Sequence, residues 1–150
     1  MVLRGLRQAG QHGLAHEIAV NHLTNVTQVY EQTASFWENY APETAAPGDP
    51  AARDAVGMAG ITPISILLED VIGVSVDWPQ RRVFWDRRLE SEQPYGVHNY
   101  PLGPDGTLSL MADAARLEVT TDIPFTLTLR DATQSLQTAV PSGTTTIDLE

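Results

Sequence analysis

The sequence predicts an α+β fold, with helices in the first half of the chain and a small antiparallel β-sandwich in the second. The spacing of apolar residues changes at Gly73, from steps of three and four before it to alternation after it. Turn sequences at Pro104–Gly106 and Pro141–Gly143 separate alternating segments. These observations predict two domains, a helical one over residues 1–72 and an antiparallel β domain over residues 74–150.

The first third of the chain is predicted to form two helices. A short helix over Met1–Ala9 is followed by Gly10 and Gly13, which mark a break. A longer helix over about Gln11–Thr33 follows, because its apolar residues recur every three or four positions and form one stripe.

A loop and a very apolar helix complete the first half. Residues 41–56 are rich in Pro, Gly and Ala and predict a loop. Thr62 is suited to cap the next helix and Pro63 to its first position. Apolar residues of Ile61–Ile72 cover most of the circumference of this helix, so it is predicted to be buried on most sides. Gly73 is suited to end it.

The second half predicts strands, because apolar and polar residues alternate in short segments there. The predicted strands are Arg82–Trp85, Tyr95–Tyr100, Thr107–Met111, Arg116–Thr121, Phe125–Thr128 and Thr144–Leu149.

The amino-acid composition of the chain excludes some classes of binding partner and of chemistry. The chain has 150 residues, a net charge of −10, no cysteine, and only arginine among its nine Lys and Arg positions. A strongly acidic chain repels nucleic acid and anionic membranes, so neither is predicted as a partner. The absence of cysteine excludes thiolate chemistry. The first 20 residues lack the apolar core of a secretory signal, which predicts a cytoplasmic protein, and no cofactor is expected.

Two segments resemble the end of a known catalytic domain. The segment "WENYAPE", a Pro/Gly loop and "DAVGMAGITPISILLEDVIG" follow one another in the order found in trehalase-like and glycoside hydrolase family 63-like enzymes. The strands after Gly73 resemble the β extension of bacterial members. The resemblance implies the last helices of a six-hairpin (α/α)6 toroid, followed by a β domain.

The resemblance also implies a mechanism and a carbohydrate substrate. These enzymes invert the anomeric centre with two carboxyl groups roughly 6.5–9.5 Å apart, one a general acid and the other a base that activates water. The glutamate of the Glu-x-Tyr segment corresponds to Glu38, which would be the base for hydrolysis of an α-glucosidic or related bond. The acid lies several helices earlier in the family, so the chain is predicted to lack it and to be inactive alone.

Neighbouring residues are predicted to shape the sugar site. Trp37, Asn39 and Tyr40 flank the glutamate, and the aromatic rings are predicted to keep its carboxylate away from water. Gly57 and Met58 replace the family's Gly-Trp turn, which removes an indole from the implied site. From the residues alone, Glu38 also fits an ordinary glutamate near a helix end, and the aromatic residues fit a core.

Histidines do not predict a metal site. His12 and His16 are four residues apart, as metal ligands on one helix face are, but no third ligand has a suitable spacing. His22 lies in the apolar stripe of the long helix and reads as a core residue.

A non-catalytic module is the alternative prediction. Trp78, Phe84, Trp85 and Tyr95 could form a carbohydrate-binding face on the β domain, or could form its core. The very apolar Ile61–Ile72 helix predicts either a missing portion of a barrel or self-association, since a helix that is apolar all round needs neighbours.

Overall fold

The computed structural model describes residues 2–54, 57–131 and 135–149. The chain divides into two compact units, Met1–Val71 and Ile72–Glu150. Described residues of the first unit form helices joined by a long loop, and those of the second form two β-sheets.

Three α-helices and a π-helical turn build the described part of the helical region. They are α1 (Val2–Gln8), α2 (His12–Thr33), α3 (Met58–Ile66) and the π-helix Leu67–Ile72. The buried face of α2 carries Ala15, Ala19, Val26 and Val29, whose spacings of four, seven and three keep them on one stripe. The predicted long helix is therefore confirmed to within one residue at its start.

The last helix differs from its prediction in both start and burial. It begins at Met58, after Gly57, so Pro63 lies inside the helix rather than at its first position. A proline there has no N–H to donate to the carbonyl four residues earlier. Ile61 and Ile64 are 62% and 59% exposed, so the prediction of a helix buried on most sides is wrong for this unit.

Eight strands are described in the second unit. They are β1 (Val74–Asp77), β2 (Arg82–Asp86), β3 (Tyr95–Leu102), β4 (Gly106–Ala112), β5 (Arg116–Thr121), β6 (Phe125–Arg130), β7 (Ser135–Val140) and β8 (Gly143–Asp148). All six strands that alternation predicted are present, and β1 and β7 are additional.

The strands form two four-stranded sheets, in the orders β1-β2-β6-β7 and β3-β4-β5-β8. Every pair in the second sheet is antiparallel, whereas β2 and β6 pair in parallel in the first. The prediction of a purely antiparallel domain is thus wrong for this pair. A parallel pair requires a long crossover, and here β3, β4 and β5 of the other sheet supply it.

The core of the second unit lies between the inner faces of its sheets. Buried and more exposed residues alternate along β2, β4, β5 and β6, which places one face of each strand inward. Trp85 is fully buried, and its ring meets that of Tyr95 edge to face at 5.9 Å. Its indole N–H donates to Ile72 O (2.9 Å), which satisfies the polar atom of this buried ring.

The helical toroid implied by the resemblance is wrong for this chain. The described residues hold three short or medium α-helices and eight strands, so the chain is a small and mostly β protein of α+β type. The description of the chain as part of a trehalase-like α/α barrel, and as a glycosidase on that ground, therefore has no support.

Candidate functional site

The candidate site is built by the segment after α2, which turns sharply away from the helix axis. Ala34 ends the helix in the left-handed conformation (φ 52°, ψ 35°), and its N–H donates to Tyr30 O (2.7 Å). The Tyr30 and Phe36 rings then pack with centroids 4.9 Å apart. The chain direction is therefore fixed just before Trp37.

The returning loop is fastened to the end of α2 by side chains. Asp54 accepts a hydrogen bond from Ser35 Oγ (2.8 Å), and the Asp54 N–H donates to the same hydroxyl oxygen (3.0 Å). Ser35 is 3% exposed, so its hydroxyl is buried, whereas Asp54 is exposed. The Arg53 guanidinium donates to Thr33 O (2.7 Å), which places a cation at the negative end of α2.

Both N–H groups of Trp37, on the indole and on the backbone, donate hydrogen bonds to neighbouring side chains. Its indole N–H donates to Thr33 Oγ1 (3.0 Å), and its backbone N–H donates to Tyr40 Oη (3.3 Å). The ring is half-buried. Trp37 therefore holds the turn between α2 and Tyr40, and it is not among the described residues that line the neighbouring groove.

Asn39 holds the two sides of the loop together. Its side-chain amide N–H donates to Pro50 O (3.2 Å), and its backbone carbonyl accepts from the Gly48 N–H (3.1 Å). A Cβ atom at Gly48 would collide with Asn39 Oδ1, so only glycine allows this approach. The preceding residue, Glu38, is held in place by its backbone N–H, which donates to Ala52 O (2.9 Å).

A groove of about 440 Å³ lies between this loop and two helices. It is lined by His22, Asn25 and Val26 of α2, by Glu38, Asn39, Tyr40, Ala41 and Pro42 of the loop, and by Thr62 and Pro63 of α3. The rings of His22 and Tyr40 meet edge to face, with centroids 6.5 Å apart. The groove thus combines aromatic rings, amides and one carboxylate.

Glu38 supplies the single carboxylate among the described residues that line this groove. Its side chain is exposed, so the prediction that aromatic rings keep it away from water is wrong. Trp37 donates hydrogen bonds to Tyr40 and to Thr33 of α2, and the Tyr40 ring contacts His22 of α2, so neither ring covers the carboxylate. What the structure does bring together is Glu38, Asn39 and Tyr40 on one wall.

Several lining residues of the groove lie outside the predicted site, among them His22 and Asn25. The position of His22 in the apolar stripe of α2 predicts a core residue, yet His22 lines the groove. Asn25 shares a polar and almost uncharged face of that helix with Asn21, Gln28 and Gln32, and the lack of charge on this face is its one sequence signal. Its amide N–H donates to Asn21 O (3.0 Å).

The other predicted site residues lie elsewhere. Gly57 is exposed, precedes α3, and is not among the described lining residues. Met58 is the first residue of α3, and its side chain lies outside the described part of the structure.

Trp78, Phe84, Trp85 and Tyr95 fit either a binding face or a core of the second unit, and Trp85 lies in the core. Trp85 is fully buried, whereas its neighbour Phe84 is 38% exposed on the opposite side of β2. Adjacent residues of a strand point to opposite faces, so these two rings cannot share a binding surface.

The described residues contain neither a metal-binding cluster nor a membrane-spanning helix. No group of three or more His, Asp and Glu side chains there is arranged to hold a metal ion. His16 Nδ1 donates to Asp70 O (2.9 Å), a structural contact. None of the helices in the described ranges has the length and apolar character needed to cross a membrane.

Comparison with known proteins identifies no relative. No protein-family model, no curated protein and no solved structure matches the chain. The resemblance of the "WENYAPE" segment to trehalase-like enzymes therefore stays a prediction.

Proposed function

We propose that the chain binds a neutral carbohydrate in the groove beside Glu38. The observation that carries the proposal is the combination, in one open groove, of a single carboxylate, amide side chains and aromatic rings. Sugar hydroxyls both donate and accept hydrogen bonds, and the apolar faces of pyranose rings pack on aromatic side chains.

Each kind of group has a role in this proposal. The Glu38 carboxylate accepts hydrogen bonds from sugar hydroxyls, and charged acceptors make stronger bonds than neutral ones. The Asn25 and Asn39 amides offer oxygen acceptors on opposite walls. The rings of Tyr40 and His22 supply the apolar surface.

The charge of the groove selects against acidic sugars. Its described lining contains Glu38 but no arginine, and the whole chain carries a net charge of −10. A sugar carboxylate about 4 Å from Glu38 would lose ~1 kcal/mol in a water-like environment and ~4 kcal/mol at a partly shielded surface. Neutral sugars avoid this repulsion.

Catalysis by Glu38 is the second candidate function, and it requires a second carboxyl group from outside the described groove lining. The exposed carboxylate has access to water, which a general base of an inverting hydrolase must activate. Such a mechanism needs a second carboxyl group roughly 6.5–9.5 Å away. Since Glu38 is the only carboxylate of the described lining, we expect the chain alone to bind sugars without hydrolysing them.

Calorimetric titration with maltotriose and trehalose tests the binding proposal. For Glu38→Ala we expect affinity to fall by about tenfold, or ~1.4 kcal/mol, because the carboxylate acceptor is lost. Glu38→Gln keeps one acceptor oxygen, so its loss is expected to be smaller. Glu31→Gln changes an exposed glutamate of α2 outside the groove lining and serves as the control.

The proposal fails if neither sugar binds saturably, or if Glu31→Gln weakens binding as much as Glu38→Ala. Release of glucose by the chain alone would contradict the expectation that hydrolysis needs a second carboxyl group.

A further inference from the structure

The helical unit exposes an apolar ridge. Ile61 and Ile64 of α3 are 62% and 59% exposed, and Leu67 at the start of the π-helix is 43% exposed. These residues are three apart and therefore lie along one side of the helix. A helix that is apolar all round is normally covered, and exposed apolar patches of this kind mark interaction surfaces.

A concave surface lies beside this ridge. The groove measures about 660 Å³, and apolar side chains of all three α-helices line it, among them Val2, Leu3, Ile18 and Ile66. Ile61 belongs to both the groove and the ridge. One face of the unit thus carries a projection and a depression next to each other.

The walls of this groove carry opposite charges. Arg4 and Arg7 of α1 stand on one wall, and Glu69 and Asp70 of the π-helix stand on the other. Arg7 joins the walls, because its guanidinium lies 3.4 Å from a Glu69 carboxylate oxygen and 3.3 Å from Asp70 Oδ1. Arg4 is exposed and forms no ion pair with a described residue.

From this arrangement we infer that the ridge-and-groove face binds a second copy of the chain. A two-fold contact needs a surface that is complementary to itself. In this dimer the ridge of one copy enters the groove of the other, and the two-fold axis sets the exposed Arg4 of one copy beside the part-exposed Glu69 of its partner. The opposite charges of Arg4 and Glu69 on the same apolar face favour a second copy over an unrelated partner.

The net charge predicts how this association depends on salt. Two chains of charge −10 repel each other at long range, and salt screens that repulsion. Contacts between apolar side chains are not weakened by screening. We therefore expect the dimer to become more stable as salt rises from about 0.05 M to about 0.5 M.

Sedimentation equilibrium of the full chain tests the inference. We expect a monomer–dimer equilibrium, and we expect Ile64→Glu to raise the dimer dissociation constant by at least about tenfold. Since Ile64 is largely exposed, the variant should keep the helical circular dichroism of the parent chain. Leu136→Glu, at a 39% exposed position on β7, is the matched control and should leave the equilibrium unchanged.

A charge exchange gives a second, independent readout. Arg4→Glu should weaken the dimer. Adding Glu69→Arg should restore part of the dimer affinity, because positions 4 and 69 of the two copies again carry opposite charges. A chain that is monomeric at both salt concentrations overturns the inference. A dimer that Ile64→Glu leaves intact also overturns it, as does a monomer that binds an amphipathic helical peptide on this face instead.

Discussion

At the scale of single residues, the Asp70 carboxylate is shielded from water and lies beside the Arg7 guanidinium. Its side chain is only 6% exposed, on the π-helix, with Arg7 Nε 3.3 Å from Oδ1. Burial raises the pKa of this carboxyl, while the charge of Arg7 acts in the opposite direction. Because the net shift is upward, the ion pair does not fully offset the loss of hydration, as is common for shielded pairs.

The raised pKa of Asp70 predicts a specific dependence of stability on pH. A folded-state pKa above the unfolded value of 3.8 means that the folded chain binds the proton more tightly. The stability from this group is fully present below the unfolded pKa and is lost as pH rises through the folded pKa. We expect Asp70→Asn, which cannot ionise, to unfold at higher urea than the parent at neutral pH and to lose that advantage at acid pH.

Urea unfolding at several pH values measures this difference. The neighbouring Glu69→Gln is the control, because the Glu69 side chain is 46% exposed. An Asp70→Asn variant that is less stable than the parent at neutral pH would show that the Arg7 pair is worth more than the burial costs.

At the scale of elements, the loop from Ser35 to Asp54 determines the geometry of the site. Its two sides are joined by Asn39 and Gly48, and an antiparallel bridge between Trp37 and Arg53 lies further along. Local composition predicted a loop here but could not predict its path, since these contacts connect residues up to 19 positions apart. The groove beside Glu38 follows from that path.

Gly48→Ala tests the importance of this path. The added methyl group would displace the Asn39 amide and break its hydrogen bond to Pro50 O, with an expected loss of ~1 kcal/mol in unfolding free energy. Sugar affinity should fall as well, because Asn39 lines the groove. Gly5→Ala on α1, where nothing lies within 4 Å of the added atom, is the control and should be neutral or stabilising. Equal stability and sugar affinity in both variants would contradict this role.

The strands show which elements can be predicted from alternation of apolar and polar residues in the sequence. Most of those that alternation predicted have one face buried, as in β5 and β6, although β8 has no buried residue. The two that were missed, β1 and β7, lie at the edges of their sheet. β1 has only four residues, and the exposed positions of β7 follow one another without alternation, so neither carries a period of two.

At the scale of the whole molecule, local resemblance did not predict the architecture. The order of "WENYAPE", loop and apolar helix implied a toroid, but eight strands in two sheets dominate the described chain. The parallel pairing of β2 with β6 joins residues 44 positions apart in register, such as Arg82 and Thr126, and no local pattern encodes it. The exposed ridge of α3 shows the same limit, because burial depends on partners that sequence periodicity does not identify.

The central claim, that the groove beside Glu38 binds a neutral sugar, also predicts where the sugar binds. A titration of the isotope-labelled chain with maltotriose to about 10 mM, followed by amide chemical shifts, locates the contact directly. We expect saturable shifts at Asn25 and Glu38–Ala41, with those around Phe84 unchanged. Shifts confined to the strands, or no saturable shift in the groove, would contradict the account.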